Sequence, residues 1–248
     1  MKILFTTVIA TSFAFLSTSA QESKSGSVEY TEKVKLEIHF QGDADMLPRL
    51  PDEDISKRIL YFTPDASLYV SSQETEETGQ IEEMEGGGRM VVKVDKPESK
   101  VYMDIKNANI TEQREFLSRT FLIQSPVETH PWKLTGNRKE ILGYPCIEAS
   151  YTKDTTVTIA WFTPSIPVET GPARYSGLPG LILEVIADQG KRIITATSVK
   201  LGDVAGMIAK PNKGRKMTKE EFNKMVDEKR AEQGQEGGEH VVIRIKNN

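Results

Sequence analysis

The residues that could do chemistry are few in this sequence and lie far apart. Three histidines occur, His39, His130 and His240, and no two of them have the spacing of a metal-binding pair. The single cysteine, Cys146, can form neither an internal disulfide nor a cysteine-clustered metal site. We interpret it as a small buried hydrophobic side chain, with a reactive or partner-linked thiol as the alternative. We therefore expect no metal and no cofactor, and the sequence specifies no catalytic residue.

Two acidic residues lie in strongly apolar surroundings, Asp104 in VYMDI and Glu184 in LILEV. A buried carboxyl group has a raised pKa and can act as a general acid. A carboxylate that alternates with apolar neighbours along a strand instead faces outward or pairs with a nearby cation. The alternation favours this second, structural interpretation for both residues.

A proline-rich stretch, WFTPSIPVETGPARY, covers residues 161–175. Such a stretch is typical of a stiff connection that runs over the end of a sheet. Aromatic rings and a guanidinium group at its two ends can bind a ligand. Trp161, Arg174 and Tyr175 are therefore the candidate ligand-binding residues.

A Gly-Leu-Pro-Gly turn follows directly and leads into an apolar run. This motif consists of Gly177, Leu178, Pro179, Gly180, Leu181 and Ile182. Proline followed by glycine suits the two central positions of a type II turn, and the uninterrupted apolar run predicts a strand covered on both faces. The turn chemistry favours a structural role for the motif, with a ligand-binding loop as the alternative.

Most of the remaining chain alternates with the period of a β-strand, as in KVKLEIHF at residues 33–40. RILYF and SLYVSS predict a hairpin around TPDA, and RMVVKV and KVYMDI predict another around DKPES. Near the C-terminus, Thr218 and Glu221 form a capping box, and Phe222, Met225 and Val226 share one helical face. The sequence thus predicts a mainly β (α+β) fold, a curved antiparallel sheet or half-barrel with one C-terminal helix at residues 218–233.

The amino-acid composition predicts one loop and argues against one class of partner. Residues 73–88 are rich in glutamate and end in three glycines, which predicts a mobile acidic loop, with a cation site as the alternative. Lys and Arg number 32 against 36 Asp and Glu, so the net charge of −4 argues against a nucleic-acid partner.

The first 20 residues predict an export signal, because a lysine precedes a short apolar run that ends in small residues. We expect cleavage after Ala20, a single domain over residues 21–248, and a location in the periplasm or outside the cell. No later apolar run is long enough to span a membrane, so we expect a chain that is not membrane-spanning.

The motif SGLPGLILEV resembles the signature of the GLPGLI family. Further stretches are similar to that family's pattern and occur in the same order: GSVEY, RKEILGYPCIEASY, IAWFTPSIPVETGPARYSGLPG and PNKGRKMTKEEF. The resemblance covers nearly the whole chain after the signal. It implies an exported protein of Bacteroidota-type bacteria, and it carries over no activity, cofactor or catalytic residue.

Three functions are consistent with these observations. The first is a non-enzymatic cell-envelope module that binds an apolar or peptide ligand, or an outer-membrane partner. The second is an envelope hydrolase with a site at the rim around Trp161, Arg174 and Tyr175. The third is a structural envelope protein without a small ligand.

Overall fold

The structure is a computed structural model, and it describes residues 24–35, 37–39, 53–72, 80–83, 89–92, 99–235 and 242–244. The expected export signal, His240 and residues 73–79 and 84–88 of the predicted acidic loop lie outside the described residues. These predictions remain untested.

The described chain forms mainly strands, with one α-helix near its C-terminal end. The elements are β1 Gly26–Lys35, β2 Glu37–His39, β3 Glu53–Phe62, β4 Ala66–Ser71, β5 Gln80–Glu83, β6 Arg89–Val92, β7 Ser99–Asp104, β8 Asn109–Phe116, β9 Arg119–Pro126, β10 Lys133–Ile141, β11 Tyr144–Lys153, β12 Thr156–Thr163, β13 Leu181–Ala187, β14 Arg192–Leu201, β15 Arg215–Thr218, α1 Lys219–Gln235 and β16 Val242–Arg244.

Twelve of these strands form one open sheet in the order β10-β11-β12-β13-β14-β1-β3-β4-β7-β8-β9-β15. Its strand pairs are antiparallel except at one edge, where β15 runs parallel to β9. The prediction of a mainly β fold with a curved sheet and a C-terminal helix is confirmed. Strand β1 lies in the middle of the sheet, where it joins the β10–β14 half to the β3–β9 half.

One face of the large sheet is covered, and we call it the inner face. In β1 the side chains of Val28, Tyr30, Glu32 and Val34 point to this face, and all four are buried. The period-2 alternation of a strand places every second residue on the same side, so the residues between them point outward. A 17-residue connection between β12 and β13, residues 164–180, packs on the inner face, and we call it the crossing segment.

Helix α1 covers the inner face at the β9 edge. Its N-terminus has the predicted capping box: the Thr218 backbone N–H donates to Glu221 Oε2 at 2.8 Å, and the Glu221 N–H donates to Thr218 Oγ1 at 3.2 Å. Phe222 is buried against Phe121, with ring centroids 5.5 Å apart. The prediction of this helix and of its apolar face is confirmed.

Of the two predicted hairpins, one is confirmed and the other is wrong. The hairpin around TPDA is confirmed as β3–β4, but β6 does not pair with β7. Instead β6 pairs with β5, whose Gln80–Glu83 falls inside the segment that the sequence predicts to be a loop. Strand β7 pairs with β4 and β8, so β5 and β6 lie, in sequence, between two neighbouring strands of the large sheet.

Candidate functional site

The crossing segment is tied to both halves of the sheet. The backbone N–H of Leu181 donates to Ile166 O at 2.9 Å, and that of Ile182 donates to Thr170 O at 3.0 Å. On the other side, the hydroxyl groups of Thr170 and Ser67 in β4 are hydrogen-bonded at 2.9 Å. Because Ile166, Val168 and Leu178 are also buried, the segment fills the inner face with apolar side chains.

A buried carboxylate lies between two arginines where the crossing segment reaches β8. Glu112 is 1% exposed and forms ion pairs with Arg114 from its own strand and Arg174 from the crossing segment. Burial alone would raise the pKa of Glu112, but the charges of the two arginines outweigh it and hold that pKa below its usual range. We call Arg114, Glu112 and Arg174 the Glu112 cluster.

A second buried carboxylate has a similar arrangement on the central strands. Glu32 Oε1 accepts from Arg192 Nε and Nη2 at 2.8 Å, and Glu32 Oε2 lies 3.5 Å from Arg58 Nε. The Tyr69 hydroxyl donates to Glu32 Oε2 at 3.3 Å. This network satisfies a charge that would otherwise be costly to bury. It also fixes the guanidinium group of Arg192.

Arg174 and Arg192 both line a cavity of about 240 Å³ at one end of the inner face. The cavity is bounded by the end of β1, the connection before β10, the β11–β12 and β13–β14 hairpins, the crossing segment and the N-terminus of α1. Its lining residues are Val34, Lys35, Glu128, His130, Tyr151, Lys153, Asp154, Thr156, Thr158, Ala173, Arg174, Tyr175, Ala187, Asp188, Lys191, Arg192 and Lys219. Six of them are cationic and three are acidic, although the whole chain carries a net charge of −4.

Aromatic rings form one wall of this cavity. The imidazole of His130 stacks on Tyr151 with ring centroids 4.7 Å apart, and it lies 6.0 Å from the ring of Tyr175. Trp132 packs edge-on against both His130 and Tyr151, and its indole N–H donates to Ser176 O at 2.9 Å. The wall is therefore held in place by ring packing and by a hydrogen bond to the crossing segment.

The ionisable groups of the wall have shifted pKa values. Burial lowers the pKa of His130, and the positive charges of Lys153 and Lys219 lower it further, against the opposing effect of Glu128. Burial also raises the pKa of Tyr175, although Arg192 opposes this. At neutral pH both side chains are uncharged, and the His130 Nε2 is buried without a hydrogen-bond partner among the described residues.

Of the three candidate ligand-binding residues, the structure brings two together. Arg174 and Tyr175 line the cavity, but Trp161 does not. Trp161 pairs with Glu184 in β13, Glu184 pairs with Thr195 in β14, and Thr195 pairs with Thr31 in β1. Residues that pair across neighbouring strands point to the same face of the sheet. Thr31 is adjacent to the inward-facing Tyr30, so Trp161 lies on the outer face of the sheet, where Lys139 Nζ packs 4.3 Å from its ring centroid.

The Gly-Leu-Pro-Gly turn differs from the type II turn that the sequence predicts. The Leu178 carbonyl accepts from the Gly180 N–H at 2.8 Å, which makes a tighter three-residue turn around Pro179. The Leu181 N–H, which would close a type II turn, donates to Ile166 O instead. The predicted buried strand is confirmed, because Leu181, Ile182 and Leu183 are all fully buried.

Asp104 and Glu184, the two acids that lie in apolar sequence surroundings, both have hydrogen-bonding or ionic partners. Glu184 forms an ion pair with Lys139, and half-buried Asp104 accepts hydrogen bonds from the backbone and side chain of Asn107. Glu32 and Glu112 are deeply buried, and neither was predicted from its sequence context. A signal for Glu32 exists, since it shares the strand parity of Val28, Tyr30 and Val34, which are buried.

Comparison with known proteins identifies one sequence family. Residues 148–184 match a family described as a protein of unknown function, Porph_ging. The Porph_ging match runs from β11 through β12 and the crossing segment into β13, so it contains Trp161, Arg174, Tyr175 and the Gly-Leu-Pro-Gly turn. The GLPGLI resemblance stays a prediction. No curated protein matches this sequence.

Two crystal structures of a protein named PNGF-II are similar to this chain. The sequence identities are 16% and 17%, and the TM-scores are 0.56 and 0.55. The similar region covers 83% of this chain in both cases, but only 34% and 33% of PNGF-II. The chain therefore spans about a third of the length of PNGF-II, and the likeness shows a shared fold alone.

The described residues contain neither of two further features. No group of three or more His, Cys, Asp and Glu side chains in that part of the chain is arranged to hold a metal ion. Within the same residues, no helix is long and apolar enough to cross a membrane.

Proposed function

We propose that this chain is a non-enzymatic binding module of the cell envelope, exported to the periplasm or secreted, which holds a peptide segment of a partner in the cavity beside Arg174. The composition of the cavity carries this proposal. Cationic side chains outnumber acidic ones in the lining, and an aromatic wall stands beside them. A few placed polar and charged groups against aromatic rings are characteristic of ligand-binding sites.

The ionic pairs of the lining support binding in preference to catalysis. Arg192 is paired with Glu32, Arg174 with Glu112, and Lys219 with Glu128. Such pairs hold charges at fixed positions, which suits recognition, whereas general acid–base catalysis uses groups poised to exchange protons. The hydrolase alternative placed Trp161 beside Arg174 and Tyr175, and Trp161 lies on the other face of the sheet.

A peptide suits the cavity better than an apolar ligand. The crossing segment occupies the inner face with its own apolar side chains, so the space that remains is lined mostly by charged and polar residues. Its volume of about 240 Å³ is below the range of about 300–1,000 Å³ that drug-sized ligands occupy. An extended segment that inserts one or two side chains matches this size, and a partner protein of the envelope would supply it.

Blocking the cavity tests the proposal. Thr158 is 5% exposed and lines the cavity, while Val157, its neighbour in β12, is 44% exposed on the opposite face. We expect native mass spectrometry of protein purified from its host to show bound peptide or partner in the wild type and in Val157→Phe, and none in Thr158→Phe. Equal retention by both variants would place binding elsewhere.

Export has a separate test. Intact-mass measurement of the protein from its host should give a chain that begins at Gln21, because the predicted signal ends at Ala20. A mature protein that retains Met1 would contradict export by this signal.

A further inference from the structure

The guanidinium group of Arg174 has hydrogen-bonding capacity left on the cavity side. Its Nε and Nη2 donate to Glu112 Oε2, and its Nη1 donates to Ser125 Oγ at 3.2 Å. A guanidinium group has five N–H donors, so two of those on Arg174 have no acceptor among the described residues. The side chain is 19% exposed and lines the cavity, so these donors can reach a bound group there.

The Glu112 cluster also has a charge that favours an anion. Two guanidinium groups share one carboxylate, so the formal charge of these three side chains sums to +1. Arg114 is the outlying member, because it packs 5.4 Å from the ring of Phe222 in α1 and does not line the cavity. Arg174 is therefore the member that presents the charge of the cluster to a ligand.

We propose that the cavity binds a carboxylate group of its ligand against the guanidinium group of Arg174, a specificity that rests on the proposed function of this cavity. A planar fork of N–H donors matches the two oxygens of a carboxylate, and such charge-assisted hydrogen bonds are strong. The single negative charge of a carboxylate matches the charge of the cluster.

Two sources of a carboxylate fit this chemistry, an acidic side chain and the C-terminus of a peptide. Isothermal titration with two probe pairs separates them. An N-acetylated, C-amidated triglutamate carries only side-chain carboxylates, and its matched control is the N-acetylated triglutamine amide. N-acetylated triglycine carries only the terminal carboxylate, and its matched control is the N-acetylated triglycine amide.

A pair of charge-matched double variants tests the role of Arg174. Glu112→Gln with Arg174→Gln and Glu112→Gln with Arg114→Gln both remove one carboxylate and one guanidinium group, so their net charges are equal. They differ only in whether the remaining arginine lines the cavity. We expect the first variant to bind the carboxylate probe at least tenfold more weakly than the second, since a bidentate charged contact contributes about tenfold or more in affinity.

Equal losses in the two double variants would overturn the proposal, and so would a wild type that binds neither carboxylate probe better than its neutral control. Thermal unfolding reports whether each variant folds. If one of them does not, Arg174→Lys and Arg114→Lys replace the pair, because lysine keeps the charge and loses the fork. We expect weaker binding only for Arg174→Lys, and equal affinities of the two lysine variants would contradict the role of Arg174.

These outcomes are separable from those of the proposed function. A host-derived ligand that Thr158→Phe loses, combined with no carboxylate binding, would leave the binding module standing and remove the carboxylate specificity. Carboxylate binding that depends on Arg174, in a chain whose partner is unaffected by Thr158→Phe, would leave the anion site standing and remove its role in partner capture.

Discussion

The backbone of Gly180 lies against that of Thr163, so closely that a Cβ atom on Gly180 would fall 2.2 Å from the Thr163 carbonyl oxygen. No side chain fits between two main-chain groups at this distance. We expect Gly180→Ala to lower the free energy of unfolding by about 2–3 kcal/mol, because the backbone must shift to admit the methyl group. Chemical denaturation without ligand measures this.

Gly177 in the same turn is the matched control. It has a φ of +82°, but a Cβ atom there would meet no heavy atom within 4 Å. Gly177→Ala should cost only the strain of a left-handed alanine, about 1 kcal/mol. A Gly180→Ala protein as stable as Gly177→Ala would show that the close approach is not rigid.

The reciprocal cap at the start of α1 should contribute measurably to stability. Thr218→Ala removes the hydroxyl that accepts from the Glu221 N–H, and we expect a loss of about 1 kcal/mol. Glu221→Ala removes the other half of the cap, whereas Glu220→Ala removes a charge from the same first turn without touching the cap. If urea denaturation gives equal losses for Glu220→Ala and Glu221→Ala, the effect of Glu221 is one of charge near the helix terminus alone.

The half-buried imidazole of His130 should make the protein less stable in mild acid. Its pKa is lowered in the folded protein, while a histidine in the unfolded chain titrates near about 6.5. The unfolded state therefore takes up a proton first, and the free energy of unfolding should decrease as the pH falls from about 6.5 through the folded pKa, then level off.

His130→Phe keeps a ring against Tyr151 and cannot be protonated, so it should remove this dependence. The loss at lower pH should remain in the variant. It arises from Glu112 and Glu128, whose pKa values are lowered, and it sets in as the pH falls through their ordinary value of 4.5. Urea denaturation of both proteins between pH 4 and pH 8 measures the difference. Parallel curves for the two proteins would mean that His130 is solvated.

Cys146 should be inert in the folded protein. It is 1% exposed, and burial raises the pKa of its thiol to about 11. Since only the thiolate reacts, we expect labelling by an aromatic disulfide reagent at pH 8 to be on the order of a hundredfold slower than for an exposed thiol, and complete in urea. Val157→Cys in a Cys146→Ser background supplies that exposed reference, and equal rates would show that Cys146 is accessible.

The parts of the fold that could be predicted from the sequence are those whose signal is local. The capping box and the spacing of Phe222 and Val226 are contained within nine residues, so α1 begins where they indicate. The buried strand after Pro179 is likewise specified by its own uninterrupted apolar residues. In contrast, the pairing of Arg89–Val92 was not predictable, because β5 and β7 lie on either side of it in sequence. Apolar content alone does not distinguish these two possible partners.

The candidate site was predictable only in part, because it is assembled from distant segments. Arg174 and Tyr175 were found because they lie in a distinctive stretch, but Arg192, Glu128 and His130 reach the cavity through the topology of the sheet. Glu112 shows the same limitation. Its parity with Ile110 and Phe116 predicts an inward position, but its two arginine partners include one that is 62 residues away in sequence.

The central position of β1 has a consequence for the order in which the chain folds. Strand β1 lies at residues 26–35, and it pairs with β14 at residues 192–201, far along the sequence. The β10–β14 half and the β3–β9 half can each form from neighbouring strands. They merge only when β1 meets β14, which lies more than 150 residues later in the sequence. Loop closure over such a separation is slow, so the joining of the halves should limit the folding rate. Until then the edges of β1 and β14 remain open to wrong partners, and this interval is when the chain is most prone to aggregate.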